Sequence, residues 1–289
     1  MFENSLIKRR AAYNIIFKVT VIVLTMLTLI PLIMIIFFVF KKGIEVIDFR
    51  FLTSMKRPDM GTGRGGILPP LVGTLILMGI AGVFSVPIGI GTGIFLAENQ
   101  KLKIAKIINW IIDIIQGIPS IVLGIVGYLW FVLFFRLIFG LNYSALAGGL
   151  TLGIMMLPMI VKTTTETVKM IPYSLKEAAL SLGVPYYKTI LFVVVPSSLS
   201  GIVTGILLSI SRVAGETAPV LFTAFGNPYF SVALLKPIDS LPHLIYNFSQ
   251  SPFPVDHRFA WGASLVLVSL VLIINLITRV AVSKWKIRF

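Results

Sequence analysis

The residues best placed to do chemistry in this chain are charged groups set in or beside long apolar runs. Arg212 and Glu216 fall in the run Ile190–Phe222, and Lys162 directly follows the run Ala145–Val161. A lone Arg at mid-bilayer costs at least ~2.5–3.5 kcal/mol on insertion scales, so a charge kept there needs a reason. Spaced i, i+4, Arg212 and Glu216 would share one helix face and pair. A guanidinium in a water-filled cavity is a natural bidentate partner for phosphate or a similar oxyanion. Glu216 would then orient Arg212 and keep the anion from binding too tightly to leave. The plainer alternative is a self-neutralising pair that only fixes helix packing. Asp113 either sits at the membrane interface or pairs with a lysine of an inner loop.

Enzyme chemistry lacks material. The chain has no cysteine, which excludes disulfides and thiolates, and His243 and His257 are its only histidines, too few for a zinc cluster. Asp113, Glu216 and the two histidines make no nucleophile–base set. The glycine-rich stretch Gly61-Thr-Gly-Arg-Gly-Gly66 is not followed by Lys-Ser or Lys-Thr, so it reads as a flexible loop and not as a phosphate-cradling one.

The elements that must position these charges are membrane spans. The chain is 57% hydrophobic and 12% charged, with a mean hydropathy of +0.97. Soluble domains carry roughly 25% charged residues, so lipid must cover much of this one. Six runs are long enough to cross the hydrocarbon: Val19–Phe40, Leu71–Leu96, Ile107–Phe139, Ala145–Val161, Ile190–Phe222 and Ala260–Val282. The first outlasts the roughly 7–15 apolar residues of a signal peptide and is followed by Lys41-Lys42, so it reads as a retained span. The third and fifth contain Gly117, Pro119, Pro196, Gly201 and Gly205, which predicts breaks. Small residues in the second and fourth (Gly89, Gly91, Gly93; Gly148, Gly149, Gly153) suit close helix packing.

The net charge of +14 comes from bases that mostly flank apolar runs, which points to orientation and anionic lipid and not to nucleic acid. With the N-terminus inside, fifteen Lys and Arg fall on the inner side and nine on the outer. Six of the nine lie in the one long loop 41–68, where translocation is less sensitive to charge. Both termini are therefore expected in the cytoplasm. The outer segment 225–259, rich in proline, should hold no long helix. The tail Lys284-Trp-Lys-Ile-Arg288 reads as an inner interfacial anchor.

The inner loop after the fourth run has its own signals. Ser174 and Glu177 have the spacing of a capping box, Pro172 disfavours a continuous helix before them, and Gly183 offers a left-handed stop. Pro185 suits the start of the next helix. The prediction is a helix of about two turns with Leu175, Ala178, Ala179 and Leu182 as an apolar stripe. A helix this short is marginal alone, so it needs a partner groove or tertiary support; lying on lipid is the alternative.

Glu177-Ala-Ala, Gly183 and Val193-x-Val195-Pro196 resemble the EAA loop of ABC importer permeases, with valines where that pattern has Ile and Leu. The resemblance implies an all-α polytopic protein with six transmembrane helices, the type-1 importer permease (MetI-like) fold. Its parts would be an N-terminal tail, first helix and outer loop (1–70), a transmembrane domain (71–279) and a basic tail (280–289). It also implies that Glu177, Ala178, Ala179 and Gly183 belong to a coupling helix entering a cytoplasmic ATPase.

Ser211-Arg-Val-Ala-Gly-Glu-Thr-Ala-Pro219, with Thr163-Thr164 and Gly117-Ile-Pro-Ser-Ile-Val-Leu-Gly124, is similar to the A-type permeases of phosphate-specific ABC importers. That similarity implies that Arg212, Glu216 and Lys162 line a phosphate path in a prokaryotic cell membrane. Family members more often carry Arg at the Lys162 position, and Lys loses the bidentate fork. The implied partners are a paralogous permease, two ATPase subunits that use ATP and Mg, and an external phosphate-binding protein; this chain itself would hold no cofactor. A permease for sulfate, molybdate or phosphonate is the near alternative. An ion-coupled transporter would call for an inverted repeat and a carboxylate array, neither of which is visible.

Overall fold

Proline and glycine decide where the long apolar runs stop being helix. The computed structural model describes residues 2–55, 59, 61 and 65–283. Lys56, Arg57, Arg64, the middle of the Gly61–Gly66 stretch and the Lys284–Arg288 anchor lie outside the described residues. The helices are α1 (Phe2–Ile44), α2 (Phe49–Thr53), α3 (Leu68–Glu98), α4 (Lys103–Gly117), α5 (Ser120–Gly127), α6 (Leu133–Phe139) and α7 (Ala145–Lys169). They continue as α8 (Tyr173–Ser181), α9 (Tyr186–Thr189), α10 (Val195–Val213), α11 (Ala218–Thr223), α12 (Leu241–Ser249) and α13 (Pro254–Ser283). Wide π turns at Tyr128–Val132 and Ile190–Val194 join α5 to α6 and α9 to α10. Among the described residues the regular elements are all helical, with isolated bridges such as Phe225 to Ile238 and no strand.

Six stretches are long and apolar enough to cross a membrane: Arg9–Ile44, Leu68–Glu98, Ser120–Phe139, Ala145–Lys169, Tyr186–Val213 and Pro254–Val280. The number agrees with the sequence reading, and two extents are corrected. The third run is not one span: α4 ends at Gly117, Ile118 is extended (ψ 130°), and the span restarts at Ser120. Pro119 causes this, because its ring disfavours α conformation at the residue before it. The fifth run ends at Val213, not Phe222, because Pro219 has no N–H to donate and instead opens α11. Of the other predicted breakers, Pro196 follows the second π turn, whereas Gly201 and Gly205 lie in unbroken helix.

Those two glycines serve packing. A Cβ at Gly205 would lie 1.8 Å from Thr163 Oγ1 on α7, and one at Gly201 would lie 2.3 Å from Thr167 Oγ1. On another face of α7, Gly89 and Gly93 of α3 meet Ile160 and Thr164, while Gly149 of α7 meets Ile80. Lipid tails are as apolar as leucine, so such backbone approach is what gives membrane helices their dispersion contacts. The result is a scaffold with α7 at its centre, flanked by α3 and α10, around a core of Leu77, Leu152, Met156 and Ile160. By contrast α1 is exposed along almost all of residues 13–42 and touches α13 at Gly43, which packs against Leu265 and Trp261.

The segment 225–259 forms no long helix of its own, as expected; residues 228–236 are mostly exposed, whereas 238–244 are buried. Ile238, Asp239, Ser240 and Leu241 are buried beside the outer ends of α3 and α7. Leu241 N donates to Thr74 Oγ1 at 2.8 Å, and Ala145 N and Leu146 N donate to the carbonyls of Lys236 and Leu234.

The packing yields a contrast between two glycines. Gly205→Leu should lower the melting temperature of the detergent-solubilised protein, through overpacking of about 1–3 kcal/mol or more. Gly91→Ala should leave it unchanged, since a Cβ there meets nothing within 4 Å. Equal melting of the Gly205→Leu variant and the parent chain would show that α7 and α10 do not need this contact.

Candidate functional site

Arg212 occupies the last turn of α10, where the helix C-terminus favours a cation. The backbone then turns: Ala214 N bonds Ile210 O, Gly215 N bonds Arg212 O and Glu216 N bonds Val213 O. Glu216 is thus in the break between α10 and α11, which corrects the expectation that it shares a helix face with Arg212. Their ion pair is loose, with Arg212 Nε 3.9 Å from Glu216 Oε1, beyond hydrogen-bond range. The Arg212 side chain remains 45% exposed while that of Glu216 is 18% exposed.

Depth follows from packing. Gly205 faces Thr163, and helices rise 1.5 Å per residue, so Arg212 sits roughly 20 Å from the Lys169 end of α7, near the middle of that helix. The break itself is braced on both sides. On one, Gly124 of α5 lets Pro219 and Ala218 come close, bringing together the two stretches 117–124 and 211–219. On the other, Asn275 of α13 donates to Ser211 Oγ at 2.8 Å, a cross-helix bond that sequence reading missed. An Asn in an apolar helix was the available signal.

Lys162 is not brought to this pair. It lies on the face of α7 turned to α4, where its ammonium meets Asp113 Oδ1 at 2.6 Å and donates to Asn109 Oδ1 at 2.8 Å. Asp113 therefore does pair with a lysine, but with one on α7 and not with one of the inner loop. Its second oxygen accepts from Asn109 Nδ2 at 3.2 Å.

The short helix predicted after the fourth span is α8, Tyr173–Ser181. Its C-terminal stop is a Schellman motif: Gly183 has φ +78°, Gly183 N bonds Leu180 O, and Val184 N bonds Ala179 O. The capping box does not form. Pro172 occupies the N-cap, which leaves Ser174 at the second helical position, two residues past the place from which its hydroxyl could cap. The apolar stripe also splits. Leu175 and Ala179 turn inward, whereas Ala178 and Leu182, the latter 84% exposed, face outward beside Glu177. Exposed Met170, Tyr173 and Tyr187 extend this outward surface.

One anchor of α8 went unread in the sequence. Glu98, the last residue of α3, receives Lys176 Nζ at 2.5 Å on Oε1 and Tyr186 Oη at 2.7 Å on Oε2. The Glu98 and Lys176 side chains are 10% and 12% exposed. A carboxylate 78 residues before its lysine leaves no local pattern to read. Among the described residues, no three His, Asp or Glu side chains gather as metal ligands.

Six crossing helices, a broken span with an intramembrane cation and a short helix outside the bundle define a multi-pass membrane permease. Residues 89–285 match the family of binding-protein-dependent transport system inner membrane components, and the chain belongs to that family. It is 39% identical over 247 residues to a "Phosphate transport system permease protein PstA" of Xylella fastidiosa (strain Temecula1), spanning 85% of this chain and 84% of that protein. A protein of the same name from Yersinia pestis is 38% identical, over 85% and 81% of the two lengths. The fold is shared with a chain of the MetNI methionine ABC transporter in an inward-facing conformation, with a TM-score of 0.61 at 20% identity over 76% of this chain and 96% of that one. The resemblance to type-1 ABC importer permeases is thus borne out.

Removing one partner of the Glu98 hydrogen bonds should loosen α8. For Glu98→Ala we expect the amides of residues 173–184 to exchange with deuterium about 10- to 100-fold faster, from a loss of roughly 1–3 kcal/mol. The charge swap Glu98→Lys with Lys176→Glu should restore most of the protection. Unchanged exchange in Glu98→Ala would show that α8 is held by other contacts.

Proposed function

We propose that the chain is the permease subunit of an ATP-driven importer of inorganic phosphate and forms half of its translocation path. The observation that carries this reading is the similarity, over most of both lengths, to curated proteins named as phosphate transport permeases. Arg212 supplies the chemistry. Its guanidinium is held near mid-depth at a helix break, exposed and only loosely paired, so its donors can turn to the oxygens of a tetrahedral oxyanion. Glu216, 3.9 Å away, neutralises Arg212 between cargoes and weakens anion binding enough for release. Lys162 acts as a second cation of the path in a state where α4 has moved and Asp113 no longer neutralises it.

The chain does no chemistry of its own in this reading. A separate cytoplasmic subunit binds ATP and Mg, and α8 seats in a cleft of that subunit through Glu177, Ala178 and Ala179, with Gly183 ending the helix. The outward position of Glu177, Ala178 and Leu182 supports such seating. A paralogous permease completes the path, with two ATPase subunits below and an external phosphate-binding protein above. Both termini lie in the cytoplasm of a prokaryotic cell.

The test is ATP-dependent uptake of radiolabelled phosphate into proteoliposomes holding the assembled complex, with sulfate, molybdate and phosphonate as competitors. Phosphate alone should compete; preferential loss to sulfate or molybdate would reassign the cargo. Arg212→Ala should cut uptake at least roughly 30-fold, the loss for deleting one partner of a desolvated charge contact. Its ATPase should stay bound, and unimpaired uptake would remove Arg212 from the path. Glu177→Lys should release the ATPase from the membrane, and co-purification at the parent yield would count against docking through α8.

A further inference from the structure

On the face of α7 away from α10, α4 leaves a groove of about 290 Å³ that the proposed cargo path does not use. Its lining includes Gln100, Lys106, Asn109, Trp110, Asp113 and Lys169. The charges around it sort cleanly. Asp113 faces the groove but is neutralised by Lys162 at 2.6 Å, and Asn109 is spent on both. Lys169 meets Glu166 at 3.1 Å in an exposed i, i+3 pair, of the kind worth little and readily exchanged. Lys106 is exposed, and Lys101 and Lys103 lie exposed just before it. The groove mouth therefore carries an excess of ammonium groups.

The apolar side of α4 gives the setting. Ala105 and Ile112 bury against Leu96 and Val161, while Ile104, Ile107, Trp110, Ile111 and Ile114 are exposed. A helix with apolar residues outward, lysines at one end and a Trp beside them is built to lie in the headgroup boundary of a membrane. Lys169 ends α7 on the side where bases are in excess, so the groove opens to the inner leaflet. Basic pockets between transmembrane helices on that side recognise anionic headgroups.

We propose that this groove binds the headgroup of an anionic phospholipid. The phosphodiester lies between Lys106 and Lys169, Trp110 packs at the glycerol level, and the acyl chains cover Ile107 and Ile114. The site is separate from Arg212 and lies beside the Asp113–Lys162 pair. Its occupant would pin α4 against α7, and with it the Asp113–Lys162 pair.

The experiment uses the assembled complex in nanodiscs doped with phosphatidylglycerol bearing a photoactivatable group near its headgroup. After illumination, mass spectrometry maps the label. We expect label on residues 101–113 of this chain, displaced by unlabelled phosphatidylglycerol but not by phosphatidylcholine or inorganic phosphate. Lys106→Gln with Lys169→Gln should lower labelling of that segment about 30-fold, as expected on removing two basic contacts to an anionic headgroup. Lys106→Arg with Lys169→Arg should keep it, which separates lost recognition from lost folding. Three results would overturn the proposal: displacement by inorganic phosphate, labelling that ignores the Gln substitutions, and an unlabelled segment, as a covering protein would produce.

Discussion

Everything in this molecule hangs on how closely backbones approach α7. Inside a bilayer no hydrophobic gain comes from exchanging lipid for leucine, so helices associate only where they pack better with each other than with acyl chains. Here α3 brings glycines to Ile160 and Thr164 on one side, and α10 brings glycines to Thr163 and Thr167 on another. Thr163, Thr165 and Thr167 bond to carbonyls of their own helix, Thr165 also to Gly93 O, whereas the buried Thr164 Oγ1 has no hydrogen-bond partner among the described residues. A single helix thereby fixes the register of both neighbours. The depth of Arg212 and the position of Glu98 are consequences of that register.

The short helix α8 is then linked to the bundle by two routes of different kinds. One is covalent: α8, the Schellman turn, α9, the π turn and α10, ending at Arg212. The other is electrostatic and local, from Lys176 and Tyr186 to Glu98 at the foot of α3. Because α3 and α10 both pack on α7, a displacement of α8 loads both flanks of the same central helix. The π turn on the covalent route is its one irregular helical turn, of a kind that is frequent at functional sites. The Glu98 contact is short and largely shielded from water.

The sequence made legible whatever depends on local chemistry. Six spans, the left-handed stop at Gly183, the break at Pro119 and the isolation of α8 all follow from residues within a few positions of each other. Three readings failed because a neighbour in sequence outcompeted the pattern. Ser174 and Glu177 have capping-box spacing, but the helix already begins at Tyr173 behind Pro172, which puts Ser174 inside its first turn. Glu216 has helix spacing from Arg212, but Pro219 ends the helix between them and the next segment. The run from Ile107 reads as one span, yet its first part belongs to the separate helix α4, which ends at Gly117. What could not be read at all is long-range: Lys162 with Asp113, Asn275 with Ser211, Glu98 with Lys176.

Those pairings also explain why Arg212 stands apart among the inner charges. Lys162 has a carboxylate at 2.6 Å and an amide oxygen at 2.8 Å, and Lys176 has a carboxylate at 2.5 Å. Each is satisfied by contacts that a cargo anion would have to displace. Arg212 has only Glu216 Oε1 at 3.9 Å, outside hydrogen-bond range. Coulomb attraction survives at that distance, but the directional part of the interaction, which makes a guanidinium selective for planar or tetrahedral oxygen sets, is unspent. An arginine kept at mid-depth against the cost of insertion, and given a counter-charge too far to bond, is poised to exchange partners. A tight Arg–Glu bond would have stabilised the resting helix better and left the guanidinium fewer free donors.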